Sequence, residues 1–266
     1  MGKNEEVIGA GRTAELLAFG PRQVLKLFRE GIPFGIVEDE YRNSQEAHRS
    51  GLSVPQPYEM LERNGRAGIV YEQVDGMTML AAISRNPWIV DAEARRMARL
   101  HVAMHEHRLD GLQRQKSVLA GKIAETSQLT EKEKRQISMQ LDQLEEGHSI
   151  CHGDYHPDNI MIGTKEWIID WMTATAGSPA ADVARTLLLL RSGTLPEELP
   201  LDIQELFNRT REQLTTGYLQ EYMKLSGMTI SEIERWMVPV AAARLVEWIP
   251  AAEKEKLLEL IRHQLG

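Results

Sequence analysis

The sequence has almost no cysteine and no long apolar run. Its one cysteine, Cys151, excludes a disulfide framework, and a reducing compartment, which we expect to be the cytoplasm, suits it. The most apolar run, residues 187–190, is far shorter than the ~20 residues that a transmembrane helix needs. The opening MGKNEEVIGAG holds no apolar signal segment. We therefore expect no membrane association.

A surplus of positive charge is also missing. The chain has 31 Lys and Arg against 39 Asp and Glu, a formal net charge of -8. This balance argues against a phosphate-backbone binder, so we expect no nucleic-acid partner. It mildly favours a cationic or neutral small-molecule substrate. The 266 residues suffice for one large domain or for two lobes with cores of their own.

Alternating apolar residues in the N-terminal part predict five strands, and a charged segment among them predicts one helix. The predicted strands are residues 6–8, 15–19, 23–28, 58–61 and 67–71, and the predicted helix is residues 37–50. Asn64-Gly65 is a strong hairpin signal between the last two strands. The pattern is that of a small lobe.

Two features of this lobe suggest a phosphate ligand, although each also has an ordinary structural explanation. Gly9 and Gly11 lie between the first two strands, where a bare backbone can approach phosphates, but most such pairs simply form a hairpin. Lys26 is a lone lysine among apolar neighbours, and alternation often places such a lysine on a solvent-exposed face. An acid of the helix could turn inward to pair with it. The candidates are Glu38, Glu40 and Glu46.

Helical spacing dominates the rest of the chain. The predicted helices cover residues 87–107, two segments within 110–148, 179–190 closed at Gly193, 202 to about 225, a segment from 231, and 250–263, with a loop at 194–200. Their start signals are Thr130 with Glu133, Ser178 with Pro179, Asp202 with Glu205, Ser231 with Glu234, and Pro250. His101 and His105 share a helix face, but without a nearby cysteine or an HExxH pattern a metal site is the lesser alternative.

The most informative stretch is ICHGDYHPDNIMI, followed closely by WIIDW. Residues 160–162 and 167–169 predict a small hairpin, and Asp154, Asn159 and Asp170 lie near the ends of its strands. Side chains at strand ends can converge on a ligand. One Asp can orient an attacking hydroxyl, while Asn and a second Asp supply the oxygen ligands that magnesium prefers. This set can therefore serve phosphoryl transfer.

Together these motifs resemble the aminoglycoside phosphotransferase and choline kinase family, which has a two-lobed, protein-kinase-like fold. The matching motifs are HGD-x4-N at residues 152–159, HPDN at 156–159, IDW at 169–171, G-x-P-x-x-D at 177–182, and the extended segment at 52–57. The resemblance covers nearly the whole chain, most specifically residues 150–186.

The resemblance implies an α+β fold. A small N-terminal lobe, residues 1–74, would hold an antiparallel sheet with one helix and would bind the nucleotide. A connecting segment at about residues 72–76 would lead into a larger, mainly helical C-terminal lobe, residues 75–266. That lobe would carry the catalytic loop, residues 150–171, and the acceptor-binding helices.

The resemblance also implies a reaction, the transfer of the gamma-phosphoryl group of ATP, or GTP, to a hydroxyl of an aminoglycoside-like antibiotic, amino alcohol or sugar. Asp154 would accept the proton of that hydroxyl or orient it. Asn159 and Asp170 would bind Mg²⁺ between the phosphates. Lys26 would contact the alpha and beta phosphates with Glu40 as its partner on the helix.

The remaining implied contacts concern the nucleotide. The Glu72 carbonyl and the Val74 amide would bond the adenine edge, and residues 9–14, with Gly9 and Gly11, would cover the phosphates. This loop departs from the protein-kinase pattern, since Ala14 stands where a third glycine is usual. The triplet HGD in place of HRD, and the lack of an APE motif, favour a small-molecule kinase over a protein kinase.

Two other functions stay open at this point. A nucleotide-binding regulator without catalysis would keep the fold, although all three catalytic positions are intact. A metal-dependent hydrolase could use alternating ligands at His152, Asp154, His156 and Asp158, but it leaves Lys26 unexplained. The acceptor's identity and the oligomeric state are not predicted.

Overall fold

The computed structural model describes residues 6–109, 111–192 and 200–266. The chain divides into two compact units. One comprises Met1–Ala82 and Pro157–Ala174, and the other comprises Ile83–His156 and Thr175–Gly266. The predicted loop at residues 194–200, apart from Pro200, and the predicted helix end at Gly193 lie outside the described residues.

The first unit is built on an antiparallel five-stranded sheet with the order β1-β2-β3-β5-β4. Its strands are β1 (Val7–Ala10), β2 (Ala14–Gly20), β3 (Gln23–Phe28), β4 (Pro57–Arg63) and β5 (Arg66–Glu72), and its helix is α1 (Phe34–Arg49). The five strands and one helix are confirmed. The turn between β4 and β5 has φ of 50° at Asn64 and 74° at Gly65, the left-handed conformation that a two-residue hairpin loop requires.

Both faces of β3 are covered, which explains why Lys26 is not on a wet face. Leu25 and Leu27 belong to one core cluster. Phe28 points to the other face and packs in a cluster with Val37 of α1. Because side chains alternate along a strand, Lys26 shares the α1 side of the sheet with Phe28. The ordinary structural explanation, a lysine on the solvent-exposed face of a strand, is therefore wrong for Lys26.

A three-stranded sheet completes the first unit. Its strands are β6 (Met77–Thr78), β8 (Ile160–Ile162) and β9 (Glu166–Ile168), in the order β6-β8-β9. The predicted hairpin is confirmed as β8 and β9. It is anchored further by the Ile168 amide, which donates to the Ser53 carbonyl at 2.9 Å. The hairpin thus groups with the N-terminal unit, whereas the predicted domain division kept it in the C-terminal lobe; that division stays a prediction.

The second unit is mainly helical. Its helices are α2 (Met79–Arg85, which begins in the first unit), α3 (Val90–His105), α4 (Gln115–Glu125), α5 (Glu131–Asp142), α6 (Pro179–Ser192), α7 (Leu201–Ser226), α8 (Ile230–Arg244) and α9 (Ala251–Leu265). A 3-10 turn, Pro87–Ile89, precedes α3. Strands β7 (Ser149–Cys151) and β10 (Thr175–Gly177) pair antiparallel. α3 packs along α7, and α8 contacts α4, α5, α6 and α9. No helix in the described ranges is both long and apolar enough to cross a membrane.

Helix starts test the local predictions. The capping box of Thr130 and Glu133 is present at α5. The Asp202 cap is wrong, because α7 begins directly after Pro200 and has no side-chain cap. The Ser231 cap of α8 is also wrong, because Thr229 caps that helix together with the glutamate three residues later. In the second case two overlapping S/T-x-x-E patterns compete, and the first one in the sequence forms the box.

Gly76 is expected to tolerate no side chain. Its φ is +136°, and a Cβ there would lie 2.2 Å from the Ile162 carbonyl oxygen. We expect Gly76→Ala to lower the free energy of unfolding by about 3 kcal/mol, from overpacking and backbone strain. Gly121→Ala is the matched control, because a Cβ at this helical position meets nothing within 4 Å, and it should stabilise by about 0.5–1 kcal/mol. Urea denaturation of both variants measures this; equal stability would contradict the tight approach at Gly76.

Candidate active site

A largely buried lysine lies between two carboxylates in the first unit. Lys26 Nζ is 2.5 Å from Glu40 Oε1 and 3.1 Å from Asp170 Oδ1. The side chain of Lys26 is 13% exposed and that of Glu40 is 1% exposed. Burial alone would lower the pKa of Lys26, but the charges of Asp170 and Glu40 outweigh it and raise that pKa above its ordinary value. Lys26 is therefore a fixed positive charge.

Helix α1 holds this lysine's partner in place. The Tyr71 hydroxyl donates to Glu40 Oε1 at 3.1 Å, and the Ser44 hydroxyl lies 3.1 Å from the Tyr71 oxygen. One turn along the same helix face, Asn43 Nδ2 donates to the Trp171 carbonyl at 3.1 Å. Successive residues of one face thus fix both the glutamate and the backbone just after Asp170. Of the three acids considered, α1 presents Glu40 to the lysine.

Asn159 and Asp170 lie at the same end of the β8–β9 hairpin. Ile160 pairs with Ile168. Beyond this pair, the amide of Ile169 donates to the Asn159 carbonyl at 3.0 Å. Asp170 has φ of +67°, a left-handed conformation that Asp adopts more readily than most residues and that often marks a functional position. Its side chain is 35% exposed. Two oxygen-bearing side chains at one hairpin end fit a hard cation such as Mg²⁺.

The other predicted nucleotide contacts lie on the sheet of this unit. Gly9 is in β1, and the Gly11 amide donates to the Ala14 carbonyl at 2.8 Å, which closes the turn into β2. Glu72 ends β5, and Val74 follows it in the segment that leads to β6. Gly11 lies in the turn and Val74 in the connecting segment, as expected, whereas Gly9 is inside β1 rather than in the turn and Glu72 still belongs to β5. Their contacts to a nucleotide stay predictions.

Asp154 lies in the second unit next to two potential cations. Its Oδ2 is 3.5 Å from His156 Nε2, and its Oδ1 is 3.8 Å from Arg185 Nη2. Burial raises the pKa of the Asp154 carboxyl, but His156 and Arg185 overcome that effect and hold the pKa below its usual value. Asp154 is therefore an ionised carboxylate and a weak base in this structure.

Asp182 of α6 holds the backbone just before Asp154. Its Oδ2 accepts the His152 amide at 2.7 Å, and its Oδ1 accepts the Gly153 amide at 2.8 Å. The His152 ring in turn accepts the Asp154 amide through Nδ1 at 3.3 Å. Asp182 thus anchors two loop amides, and His152 is a buried, hydrogen-bonded brace of the same loop.

Two histidines of α3 complete the surroundings of Asp182. The Nε2 atoms of His101 and His105 lie 3.1 and 3.3 Å from Asp182 Oδ2, and their Nδ1 atoms lie 2.7 Å from the hydroxyls of Tyr218 and Tyr222. Burial lowers the pKa of His101 to about 3, so this ring is neutral, donates to Asp182 and accepts from tyrosine. The hydrogen bonds of the cluster are complete without a metal ion.

The hydrolase alternative finds no support in this geometry. Within the described residues, the acid and histidine groups close enough together to hold a metal ion are His101, His105 and Asp182. None of them belongs to the ligand set that the alternative required. His152, which does belong to it, uses its Nδ1 to accept the Asp154 amide.

We expect Asp182→Asn to destabilise the protein by about 3 kcal/mol, because the amide NH₂ cannot accept and leaves buried donors unpaired. Urea denaturation followed by tryptophan fluorescence measures this. The control is Asp202→Asn in the first turn of α7, which should change stability by less than about 0.5 kcal/mol. A stable Asp182→Asn protein would show that Asp182 does not brace the loop.

The cation beside Asp154 belongs to none of the sequence motifs. Arg185 follows Asp182 by three residues in α6, so both side chains share a helix face, and that spacing could have revealed it. Glu247, which follows α8, accepts from Arg185 at 2.8 Å. Trp236 is buried, whereas Trp248 is 91% exposed.

Comparisons with known proteins bear on the family and the fold. Residues 8–215, more than half of the chain, match the Phosphotransferase enzyme family (APH). A search of curated proteins finds no significant match.

Solved aminoglycoside phosphotransferases share the fold. A ternary complex of a thermostable APH(4)-Ia mutant with AMP-PNP and hygromycin B is 14% identical with a TM-score of 0.68, and the match covers 99% of this chain and 94% of that chain. The streptomycin-ATP complex of APH(2")-IIa is 12% identical with a TM-score of 0.58, over 98% and 91%. The GDP complex of an aminoglycoside 2'-phosphotransferase-IIIa mutant is 15% identical with a TM-score of 0.57, over 99% and 91%.

At these identities the structural likeness shows the fold, and the predicted α+β, protein-kinase-like fold is confirmed. The family match shows more, because it covers the lysine strand, the loop of Asp154 and the segment of Asp170 in one alignment. The chain belongs to the phosphotransferase enzyme family, and its fold and family are those of small-molecule kinases.

Proposed function

We propose that this protein transfers the gamma-phosphoryl group of ATP, or of GTP, to a hydroxyl of a small molecule, with Mg²⁺ as the cofactor. The observation that carries the proposal is the Lys26 ammonium, buried between Glu40 and Asp170. A buried lysine whose charge is secured by two acids is suited to a phosphate, and one of those acids is a candidate metal ligand.

The first unit would hold the nucleotide. Lys26 would donate to the alpha and beta phosphates, while Glu40 keeps it charged and in position. Asn159 and Asp170 would hold Mg²⁺, which neutralises phosphate charge when bound. The remaining contacts would come from backbone groups: Gly9 and Gly11 over the phosphates, and the Glu72 carbonyl and the Val74 amide at the base.

Asp154 would orient the acceptor hydroxyl. Because its pKa lies below the ordinary value, it is a poor base toward a free alcohol, so we place proton transfer late, as the bond to phosphorus forms. In the overall reaction, an alcohol and ATP give a phosphate monoester, ADP and one proton. Asp154 would accept that proton from the hydroxyl before it passes to solvent. Catalysis then comes from positioning and charge neutralisation.

The acceptor would be an aminoglycoside-like antibiotic, an amino alcohol or a sugar. Hygromycin B and streptomycin occupy related structures, which supports a small, hydroxyl-rich acceptor for this chain too. Exposed Trp248 follows α8 and is a contact that such an acceptor could use.

Calorimetry with ATP, with and without Mg²⁺, tests the nucleotide half of the proposal. We expect wild-type binding to strengthen with Mg²⁺ and Asp170→Ala to lose most of that gain, because one of two protein ligands is gone. Asp158→Asn, an exposed position before Asn159, is the control and should behave as wild type. Equal Mg²⁺ dependence in wild type and Asp170→Ala would remove Asp170 from the metal site.

A further inference from the structure

Arg185 connects three groups of the second unit. Its Nε donates to the Gly153 carbonyl at 2.9 Å. Its Nη1 and Nη2 form a two-pronged ion pair with Glu247 Oε1 and Oε2 at 2.8 and 3.0 Å, and Nη2 lies 3.8 Å from Asp154 Oδ1. A planar guanidinium bonded along two edges has little freedom to rotate, so Arg185 is a rigid connector.

The peptide bonded by Arg185 is the one that precedes Asp154. Gly153 has φ of +77°, a conformation that glycine adopts without strain. Its amide is held by Asp182 and its carbonyl by Arg185, both from α6. The orientation of the backbone at Asp154 is therefore set by the side chains of Asp182 and Arg185, which are one helical turn apart.

Glu247 fixes the other edge of Arg185. Its carboxylate also accepts from Arg244 Nη1 at 3.0 Å, and Arg244 Nε donates to Glu253 of α9 at 3.0 Å. Arg244 and Glu253 are both buried. A chain of alternating charges thus runs from α9 through the end of α8 to the loop of Asp154, and Trp248 is the exposed residue directly after Glu247.

We propose that Arg185 is a positioning residue for phosphoryl transfer: it aligns Asp154 by holding the Gly153 carbonyl, and Glu247 sets the conformation of Arg185. This inference rests on the proposed function of Asp154. It gives the C-terminal helices an indirect role in catalysis, because a displacement of Glu247 would change the position of the Asp154 carboxylate through Arg185. Arg185 itself transfers no proton and contacts no phosphate in this scheme.

The kinetic test uses Arg185→Gln, Arg185→Lys and Glu247→Gln, assayed by ADP release with ATP, Mg²⁺ and the best acceptor of a panel of aminoglycosides, macrolides, amino alcohols and sugars. A misaligned catalytic group costs on the order of 100-fold in rate, so we expect Arg185→Gln to lower kcat by about that factor with the KM for ATP within about twofold. Arg185→Lys, which keeps the charge but loses the fork, should fall between it and wild type. Glu247→Gln should lose about tenfold.

Arg191→Gln is the matched control, since it removes an exposed arginine near the end of the same helix; it should keep wild-type kcat. A kcat for Arg185→Gln within about threefold of wild type would overturn the proposal. So would a loss confined to the KM for ATP, because that pattern belongs to a nucleotide-binding role.

Hydrogen exchange by mass spectrometry reads the same contact without catalysis. We expect a peptide covering residues 150–156 to exchange faster in Arg185→Gln than in wild type, because one anchor of the loop is gone, and the Arg191→Gln protein to match wild type. Unchanged exchange in Arg185→Gln would overturn the positioning role. If wild type shows no acceptor-dependent ADP release, the proposed function fails, and hydrogen exchange still decides whether Arg185 holds the loop.

Discussion

Asp154→Asn is expected to lower turnover by about 1,000-fold, the typical contribution of a positioned acid or base. The amide has nearly the same shape but cannot accept the proton of the acceptor hydroxyl. Nucleotide affinity should stay near wild type, because Lys26, Asn159 and Asp170 are unchanged. Acceptor-dependent ADP release at saturating ATP measures turnover, and calorimetry measures the affinity.

The control for this variant is Asp158→Asn, four residues further along. The kinase account predicts wild-type turnover for it, whereas a hydrolase that used both acids as metal ligands would lose activity in both variants. Turnover of Asp154→Asn within about threefold of wild type would remove Asp154 from the mechanism.

Lys26→Met is expected to lower the free energy of unfolding by about 3 kcal/mol, because it leaves the buried Glu40 carboxylate without its cation. It should also abolish measurable ATP binding, because the variant lacks the ammonium group that would contact the alpha and beta phosphates. Urea denaturation and calorimetry report the two effects separately.

The stability loss should depend on pH in a defined direction. Burial raises the pKa of Glu40, and the Lys26 charge opposes that rise, so removing the lysine raises this pKa further. A carboxyl with a raised pKa in the folded state destabilises the fold as pH increases through that value. We therefore expect the deficit of Lys26→Met to be small near about pH 5 and to grow toward about pH 8. A deficit independent of pH would show that Glu40 is not left charged and unpaired.

The double variant Lys26→Met with Glu40→Leu separates folding from function. Replacing both members of a buried ion pair by apolar residues is often neutral for stability. We expect this protein to regain most of the lost stability and still fail to bind ATP. Recovery of ATP binding in the double variant would mean that Lys26 serves the fold alone.

Local patterns predicted most of the first unit and much of the site. The five strands, the Asn64-Gly65 turn and the hairpin after Asn159 follow from alternation and turn chemistry, which act over a few residues. Alternation left three acids of the helix open as partners of Lys26; the family resemblance implied Glu40, and the structure contains that contact at 2.5 Å. The role of Asp182 as an anchor of loop amides was also predictable, because it lies early in a helix that follows a capping signal.

Contacts made by tertiary packing were not predictable in the same way. Arg185 and Glu247 are 62 residues apart in sequence, and no periodic pattern connects them. Strand β6 has two residues, too few to produce alternation, so the partner of β8 could not be identified. The solvent exposure of Trp248 depends on how the chain leaves α8, and the hydrophobicity of a tryptophan does not reveal it.

The most direct test of phosphoryl transfer is the product balance of the wild-type reaction. The protein is incubated with ATP, Mg²⁺ and the acceptor panel, and phosphorus NMR with mass spectrometry quantifies ADP, inorganic phosphate and modified acceptor. The account predicts one acceptor that gains a single phosphoryl group in a one-to-one ratio to ADP, with little free phosphate. ADP matched by free phosphate and no modified acceptor, or no ADP at all, would contradict it.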